Sequence, residues 1–145
     1  MNNAINKIIP VFFAVVACSW MPHWSCHYYR LETRSSFVVG RWTFTNLDSY
    51  LAILLYSILI IFNFISVNYY KSRFLSALLS GISHVILGIL HIVRLIHPFK
   101  FEVFGSQWSR AASLRELLVV LPFGICCIIM AIIIKSRGKL NVDVP

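Results

Sequence analysis

The sequence predicts an all-α membrane protein, a bundle of four transmembrane helices that forms a single integral membrane domain over residues 1–145. Three observations lead to this prediction: 59% of the residues are hydrophobic, only 12% are charged, and the mean hydropathy is +0.78. Soluble domains usually carry about 25% charged residues, so a soluble globule of this composition would expose a mostly apolar surface. Disorder is excluded as well, because disordered chains combine low hydrophobicity with high charge.

The apolar residues fall into four segments, each long enough to cross about 30 Å of hydrocarbon as a helix. The predicted spans are about 4–21, 50–69, 74–96 and 117–134. The first is the shortest, and Lys7 near its start must extend its amine to the membrane surface. This segment also resembles a signal peptide, with Val15–Cys18 similar to a lipoprotein cleavage box, but an uncleaved helix is the preferred interpretation.

The connections between these segments are unequal in length. Tyr70–Arg73 is a tight turn that forces the second and third spans into an antiparallel hairpin, whereas loops 22–49 and 97–116 are long. Four spans place both termini and the short turn on one side of the membrane and both long loops on the other. Each side carries six basic residues, but those of the turn and tails lie closer to the helix ends. This distribution favours cytoplasmic termini.

The first long loop is expected to be partly β, because residues 36–45 are rich in β-branched and aromatic side chains. Phe37 and Val39 can share a buried face, which Trp42 and Phe44 join if Gly40 or Arg41 forms a bulge. A lone hairpin is marginally stable, and the alternating second loop is a candidate neighbour for it. Two irregular loops at the level of the lipid headgroups are the alternative interpretation.

The third segment contains a narrow stripe of small and polar residues. At 100° per residue, the members of this stripe fall within an arc of about 80°. Small residues let membrane helices approach closely and polar ones hydrogen-bond across the contact, so this face should point into the bundle. The stripe consists of Ala77, Gly81, His84, Gly88, His91 and Leu95.

The two histidines of this stripe are candidates for chemistry. His84 and His91 are about 10 Å apart along the helix axis, so one metal ion or haem iron cannot bind both. No other predicted span contains a histidine, since His23, His27 and His97 fall in loops or at a helix end. The preferred interpretation is two histidines that hydrogen-bond between helices, with a proton relay as the open alternative. No cofactor and no metal site is predicted.

Two further polar side chains are predicted to pack inside the bundle. Asn63 is the only amide deep in a span, and a histidine of the third span is its expected partner. Arg94 lies one turn from the outer end of the third span. We expect it to extend to the membrane surface, or to pair with Glu102 or Glu116.

The sequence contains no recognisable catalytic motif. GxSxG, HExxH and the P-loop are absent, and no acidic residue lies in the core of a predicted span, so the protein is not expected to be an enzyme. The net charge of +8 would suit nucleic acid in a soluble protein. Here the basic residues lie at segment ends and in loops, where lipid phosphates account for them, and no nucleic-acid partner is predicted.

Short motifs on both sides of the first long loop resemble a known family. Pro22 and Trp24 follow the first span, and Gly40 and Trp42 follow them in the β-rich loop. This arrangement resembles the claudin and peripheral myelin protein superfamily of four-helix membrane proteins. Arg41 stands where that family has leucine, and the two cysteines that should follow in the loop are absent. Basic segments match the family layout as well, at Lys71–Phe74 before the third helix and Lys135–Arg137 after the fourth.

The resemblance implies that Trp24 and Trp42 hold the first loop at the membrane surface of a plasma-membrane protein. It also implies a non-enzymatic role in cell contact, junction formation or modulation of another membrane protein. Because the loop cysteines are missing, modulation of a partner is favoured over junction sealing. The alternative is a small accessory subunit of a larger redox or proton-handling complex, for example in a bacterial inner membrane. The expected partners are the lipid bilayer and another membrane protein or a second copy of this chain.

Overall fold

The computed structural model describes residues 2–140, with the side chains of residues 7–137, as four long helices and two short β-hairpins. Each helix contains a stretch long and apolar enough to cross a membrane. The predicted four-helix layout is therefore confirmed. The helices are α1 (Asn2–Thr33), α2 (Asn46–Asn68), α3 (Arg73–Ile96) and α4 (Arg110–Leu140).

Helix α1 is longer than predicted: it ends at Thr33, whereas the predicted span ends at residue 21. The prediction was wrong because hydropathy falls after Pro22, while the backbone stays helical. A proline removes one backbone N–H donor, and a membrane helix can continue past it when neighbouring groups satisfy the freed carbonyl. The helix ends where Arg34 adopts a left-handed backbone, with φ at 52°. Pro22 and Trp24 therefore lie inside α1 and not in a loop.

Two β-hairpins cover the end of the bundle to which α1 and α3 lead. The first consists of β1 (Phe37–Val39) and β2 (Trp42–Thr43), and the second of β3 (Phe101–Val103) and β4 (Ser106–Gln107). They join through antiparallel pairing of β1 with β3 into one sheet in the order β2-β1-β3-β4. This confirms the hairpin predicted in the first long loop and its neighbour in the second, and it rules out two irregular loops.

Both hairpins close with two-residue turns. Gly40 and Arg41 join β1 to β2, and Gly40 has a φ of +63°, as a type II′ turn requires at its first central position. Phe104 and Gly105 join β3 to β4 with φ values of 56° and 75°, the signs of a type I′ turn. No bulge forms near Gly40. Trp42 is 62% exposed on the edge strand and does not join the buried face of the hairpin.

The two halves of the chain repeat the same helix–hairpin–helix order. Equivalent residues stand 64 positions apart, as Phe37 and Phe101 do, and as Val39 and Val103 do. The β1–β3 register places Phe37 opposite Val103 and Val39 opposite Phe101, so a shift of 64 positions exchanges these two pairs. This is the register of a pseudo-two-fold axis through the centre of the sheet. Because the halves run in the same direction, the repeat is parallel, with its axis along the bundle.

The helices pack most extensively in pairs, α1 with α2 and α3 with α4. Close approach of α3 and α4 depends on glycine: a Cβ atom on Gly81 would lie 2.8 Å from Cγ1 of Ile128. Gly88 and Gly124 leave similarly little room, with the nearest atoms 3.1 and 3.0 Å from an added Cβ. The predicted stripe does face inward. Its buried members are Ala77, Gly81, His84, Gly88 and His91.

A polar contact joins the two halves between α2 and α3. Asn63 Nδ2 donates to Ser80 Oγ at 2.8 Å and to the Leu59 carbonyl at 2.7 Å. Ser76 Oγ donates to Asn63 Oδ1 at 2.9 Å. The predicted pairing of Asn63 with a histidine is therefore wrong. The tight turn at residues 70–72 brings Asn63 level with the first two turns of α3, and the histidines lie further along that helix.

Glu102 links the two hairpins through its side chain. Its carboxylate accepts hydrogen bonds from Lys100 Nζ at 2.8 Å and from Ser36 Oγ. These bonds, that from Lys100 first, hold the pKa of Glu102 below its ordinary value of 4.5. A carboxyl with a lowered folded-state pKa stabilises the fold above its unfolded-state pKa. That contribution is lost as the pH falls through the folded-state pKa.

Glu102→Gln is therefore expected to lower the thermal unfolding midpoint at a pH of about 7 and to reduce the further loss on acidification to a pH of about 3.5. The midpoint of the detergent-solubilised chain at both pH values is the measurement. Glu32→Gln is the matched control, because Glu32 is exposed at the end of α1. An acid-induced loss as large in Glu102→Gln as in the unaltered chain would contradict the prediction.

Candidate functional site

A cavity of about 830 Å³ lies between the two halves, beneath the sheet. All four helices and strands β1 and β3 contribute to its walls. Its volume lies within the range of about 300–1,000 Å³ that is usual for small-molecule sites. The Phe, Tyr and Trp residues of the lining are Phe37, Phe44, Tyr56, Phe101, Phe104, Trp108 and Phe123.

The lining follows the internal repeat. Many lining residues come in pairs 64 positions apart, so the cavity lies across the pseudo-two-fold axis and is formed jointly by both halves. Neither half alone encloses it. The clearest pairs are His27 with His91, Phe37 with Phe101, Val39 with Val103 and Phe44 with Trp108.

Arg30 fixes the first half of the cavity wall. Its side chain is buried near the end of α1, where Nη1 donates to Ser49 Oγ at 3.0 Å and to Asn46 Oδ1 at 3.3 Å. Nη2 donates to the backbone carbonyl of Phe44. A guanidinium is permanently charged and only donates, so these acceptors offset part of the cost of burying it, while its Nε has no partner among the described residues. The bonds tie the end of α1 to the start of α2.

Arg94 does the same in the second half, with Nη1 donating to Ser113 Oγ and Nη2 to the Trp108 carbonyl. Nη1 also donates to the Ser109 carbonyl at 3.2 Å, and Nε reaches the Phe99 carbonyl at 3.5 Å. The side chain is only 4% exposed. Both predictions for Arg94 are therefore wrong: its side chain does not extend to the surface, and it does not pair with an acidic residue. The reason is that the second hairpin folds over the end of α3, and carbonyl and hydroxyl acceptors surround the guanidinium.

His27 lines the cavity from α1. Its Nδ1 lies 3.3 Å from Ser49 Oγ, which also accepts from Arg30 Nη1. Because a hydroxyl oxygen has two lone pairs and one hydrogen, this contact fits either tautomer of the neutral imidazole.

His91, the counterpart of His27, and Trp108 hold buried polar atoms without a partner. Nδ1 of His91 and Nε1 of Trp108 make no hydrogen bond to any described residue. Both side chains line the cavity, and His91 is only 7% exposed. Their rings flank Phe101, with centroid distances of 6.0 and 6.2 Å. Buried polar groups are normally hydrogen-bonded, so these two atoms are exceptions, as is Nε of Arg30, which also has no partner among the described residues.

His84 lies at the deep end of the cavity and is structural. Nδ1 donates to the Ser80 carbonyl at 2.8 Å, and Nε2 lies 3.2 Å from Ser19 Oγ. The ring packs on Trp20 at a centroid distance of 3.9 Å. For His84 the predicted interhelical hydrogen bond is confirmed. For His91 it is wrong, because no described side chain on a neighbouring helix reaches its Nδ1.

Four histidines from α1 and α3 line the cavity: His23, His27, His84 and His91. The expectation that only α3 contains histidines within the bundle is therefore wrong, and the extension of α1 is the reason. Within the part of the chain that the structure describes, no three His, Cys, Asp or Glu side chains lie close enough together to hold a metal ion.

The cavity opens sideways between α1 and α4. Val15 and Cys18 on α1 and Val119 on α4 line it and are also exposed on the outer face of the bundle. Glu116, one turn before Val119, lines the same side. This side of the cavity is therefore bordered by residues on the outer surface of helices that are long and apolar enough to span a membrane.

The four residues of the family resemblance are not brought together. Pro22 lies in α1 and lines the cavity near its opening, whereas the Trp24 side chain points to α2, where Nε1 donates to Ser57 Oγ at 2.9 Å. Gly40 and Trp42 lie in the first hairpin, at its turn and on its edge strand. Family membership and the roles that it implies for these residues stay predictions.

No family model, curated protein or solved structure matches the chain.

The internal repeat is the sequence signal that leads to this cavity. The pattern His-x-x-Arg occurs at His27–Arg30 and at His91–Arg94, and Phe-x-Val and a serine follow each at the same spacing. Alignment of the chain with itself finds these residues, whereas composition and hydropathy do not show them.

Proposed function

We propose that this chain is a non-enzymatic four-span membrane protein that binds a lipophilic small molecule between its two halves. The observation that carries the proposal is an aromatic-walled cavity of about 830 Å³ to which both halves contribute. Its lining is mainly apolar, with four histidine side chains among its polar residues. A molecule with an apolar body and a polar group fits such a lining, and its binding would stabilise the fold.

The side opening supports entry from the bilayer. A lipophilic molecule is concentrated in the hydrocarbon core and can pass between Val15 and Cys18 of α1 and Val119 of α4 without crossing water. At the sheet end the cavity is bordered by Phe37 and Phe101, which are buried, and by Phe104, which is 39% exposed at the turn of the second hairpin. The apolar side chains at the side opening favour a membrane-dissolved ligand.

The proposal includes an orientation of the bundle. Each end of the bundle carries six basic residues in its loops or tails, but at the end with the termini and the α2–α3 turn they lie closer to the helix ends. By the positive-inside rule we propose that this end faces the cytoplasm, in a plasma membrane or a bacterial inner membrane. The sheet and the cavity beneath it then lie in the outer half of the bilayer. Among the basic residues of the cytoplasmic end are Lys71 and Arg73 at the turn and Lys135 and Arg137 near the end of α4.

Two tryptophan substitutions on α4 test the proposal. Val120 is 4% exposed and lines the cavity, whereas Leu118 is 66% exposed and does not. Val120→Trp should fill the cavity, so native mass spectrometry of the chain purified from membranes should show a bound small molecule in the unaltered chain and lose it in this variant. Leu118→Trp adds the same ring to the lipid-facing surface and should keep the bound mass.

Ala52→Phe, which fills the cavity from α2, guards against a folding defect caused by the first variant. Equal occupancy in the filled variants and in Leu118→Trp would contradict the proposal. So would an unaltered chain that carries no bound molecule and is stabilised by none from a panel of membrane lipophiles.

Cell contact or modulation of a partner protein is a second proposal, supported by the sheet. Trp42 is 62% exposed and Phe104 is 39% exposed on the hairpins, where large aromatic residues suit a protein interface. On the proposed orientation this surface faces outside the cell. The two proposals are compatible, because binding a ligand beneath the sheet can change the surface above it.

A further inference from the structure

We infer that the ligand is a lipophilic organic cation, a molecule with an apolar body and one positively charged group, and that Glu116 is its counter-ion in the cavity. This inference rests on the proposed function, because it names the chemical class of the lipophilic molecule. Three observations lead to it: the charge of the lining, the surroundings of Glu116, and the absence of an acidic residue at the equivalent position of the first half.

The charge of the lining is negative. Among the described residues, the lining contains one acidic side chain, that of Glu116, and no lysine or arginine. The buried guanidinium groups of Arg30 and Arg94 donate to hydroxyl and carbonyl groups of their own halves and are not part of this lining. A bound molecule therefore meets a carboxylate and no permanent positive charge. Opposite charges attract strongly in a site with little water, so this lining favours a cation.

Glu116 is half-buried inside α4, about 9 Å along the helix from its start at Arg110. Its carboxylate lies near enough to His23 of α1 and His91 of α3 to interact electrostatically with both rings, which line the cavity as well. No lysine, arginine or histidine nitrogen of the described residues lies within 4.0 Å of this carboxylate, so it has no ion-pair partner among them. An acidic group inside a membrane-spanning helix is costly without a partner, and a cationic ligand would supply one.

The frame of the cavity does not require this carboxylate. Ala52 stands at the equivalent position of the first half, 64 residues earlier, and lines the cavity from α2. The residues that hold the frame are instead the same in both halves, as Arg30 and Arg94 are. A carboxylate on one wall, where the matching wall has a methyl group, is therefore assigned to the bound molecule and not to the fold.

The rest of the lining suits the apolar body of such a cation. Most lining side chains are apolar or aromatic, and Glu116 lies one turn before Val119, which is 64% exposed on the outer surface of α4. A cation that enters from this side reaches the carboxylate first. Other charged ligands fit less well: Glu116 would repel a fatty-acid carboxylate. A metal ion would need more ligands, and no three His, Cys, Asp or Glu side chains of the described residues lie close enough to hold one.

Methyltriphenylphosphonium and triphenylphosphine oxide provide the test, because they share three phenyl rings on phosphorus and differ in charge. Each is titrated into the full chain in phosphatidylcholine nanodiscs by isothermal titration calorimetry, with empty nanodiscs as the reference. The phosphonium cation should bind about tenfold more tightly than the neutral oxide, since it alone pairs with the carboxylate. Glu116→Gln should remove most of this difference and leave binding of the oxide unchanged. Glu116→Ala should do the same, and it should fold because Ala52 stands at the equivalent position.

Glu32→Gln is the matched control, since it removes the same charge from an exposed position at the end of α1, outside the cavity lining, and should leave the preference for the cation unchanged. Equal binding of the cation and the oxide by the unaltered chain would overturn the cation assignment and leave the proposed function standing. Binding of neither compound, together with no bound lipophile in the purified chain, would overturn both. A Glu116→Gln chain that prefers the cation as strongly as Glu32→Gln does would also overturn the assignment.

Discussion

Arg94→Met is expected to lower the free energy of unfolding by about 3 kcal/mol. The substitution keeps an unbranched apolar side chain and removes the donors that satisfy Ser113 Oγ and the carbonyls of Trp108 and Ser109. These acceptors are covered by the second hairpin, so water cannot fully replace the guanidinium. Chemical unfolding of the detergent-solubilised chain, followed by tryptophan fluorescence, measures the loss.

Two control variants make this test specific. Arg115→Met removes an exposed arginine from α4 and should change the free energy of unfolding by less than about 0.5 kcal/mol. Arg94→Lys keeps the charge, but one ammonium cannot replace a planar fork that reaches the hydroxyl and the carbonyls together, so little stability should return. Arg30→Met should resemble Arg94→Met because of the internal repeat. If Arg115→Met destabilises the chain as much as Arg94→Met does, the structural role assigned to Arg94 is wrong.

The helices were predictable because apolar length alone determines where a chain can cross a membrane. The position at which α1 ends was not predictable in this way. Pro22 and the polar and aromatic residues after it lower the local hydropathy, which reports transfer into lipid and not backbone conformation. Residues inside a bundle can be polar, as His27 and Arg30 are, when the protein supplies their partners. Low hydropathy at polar residues also made the predicted fourth span too short, since α4 begins at Arg110 and continues past residue 134.

The first hairpin was predictable from the β-branched and aromatic residues of the loop. Its turn was not, because the bulge considered at Gly40 or Arg41 does not form and these two residues make the turn instead. The partners of the polar residues were not predictable, because they depend on how each helix is rotated and how far it is shifted along its neighbour. A periodic stripe fixes the inward face of α3 but not the level at which α2 meets it. Asn63 therefore contacts Ser76 and Ser80, and His91 is left with a buried nitrogen that bonds no described residue.

The two walls of the cavity differ in polarity where the internal repeat is not exact. Arg30 and Arg94 hold both halves in the same way, and the sheet above them is symmetric. The lining differs where polarity matters: Ala52 of the first half corresponds to Glu116 of the second, and His23 corresponds to an apolar Leu87. A symmetric frame of this kind supplies two similar walls. On the proposed function, the unequal residues would determine which end of a ligand lies toward the opening.

Gly81→Leu is expected to lower the free energy of unfolding by about 3 kcal/mol or more and to abolish ligand binding. A Cβ atom at Gly81 would lie 2.8 Å from Ile128 Cγ1 and 3.1 Å from both the Gly124 carbonyl oxygen and the Ile128 backbone nitrogen. A side chain can move away, but the backbone of α4 cannot, so α3 and α4 must separate. In a membrane, helix association depends on such close packing, because lipid already solvates apolar side chains.

The separation of α3 from α4 would also move His84 and His91 relative to the rest of the cavity, so stability and ligand occupancy should fall together. The free energy of unfolding in detergent and the bound mass in native mass spectrometry measure the two effects on the same preparation. Ile82→Leu introduces the same side chain one residue away, on a face that is 44% exposed, and should leave both quantities unchanged. A Gly81→Leu chain as stable as Ile82→Leu would show that α3 and α4 do not need their close contact.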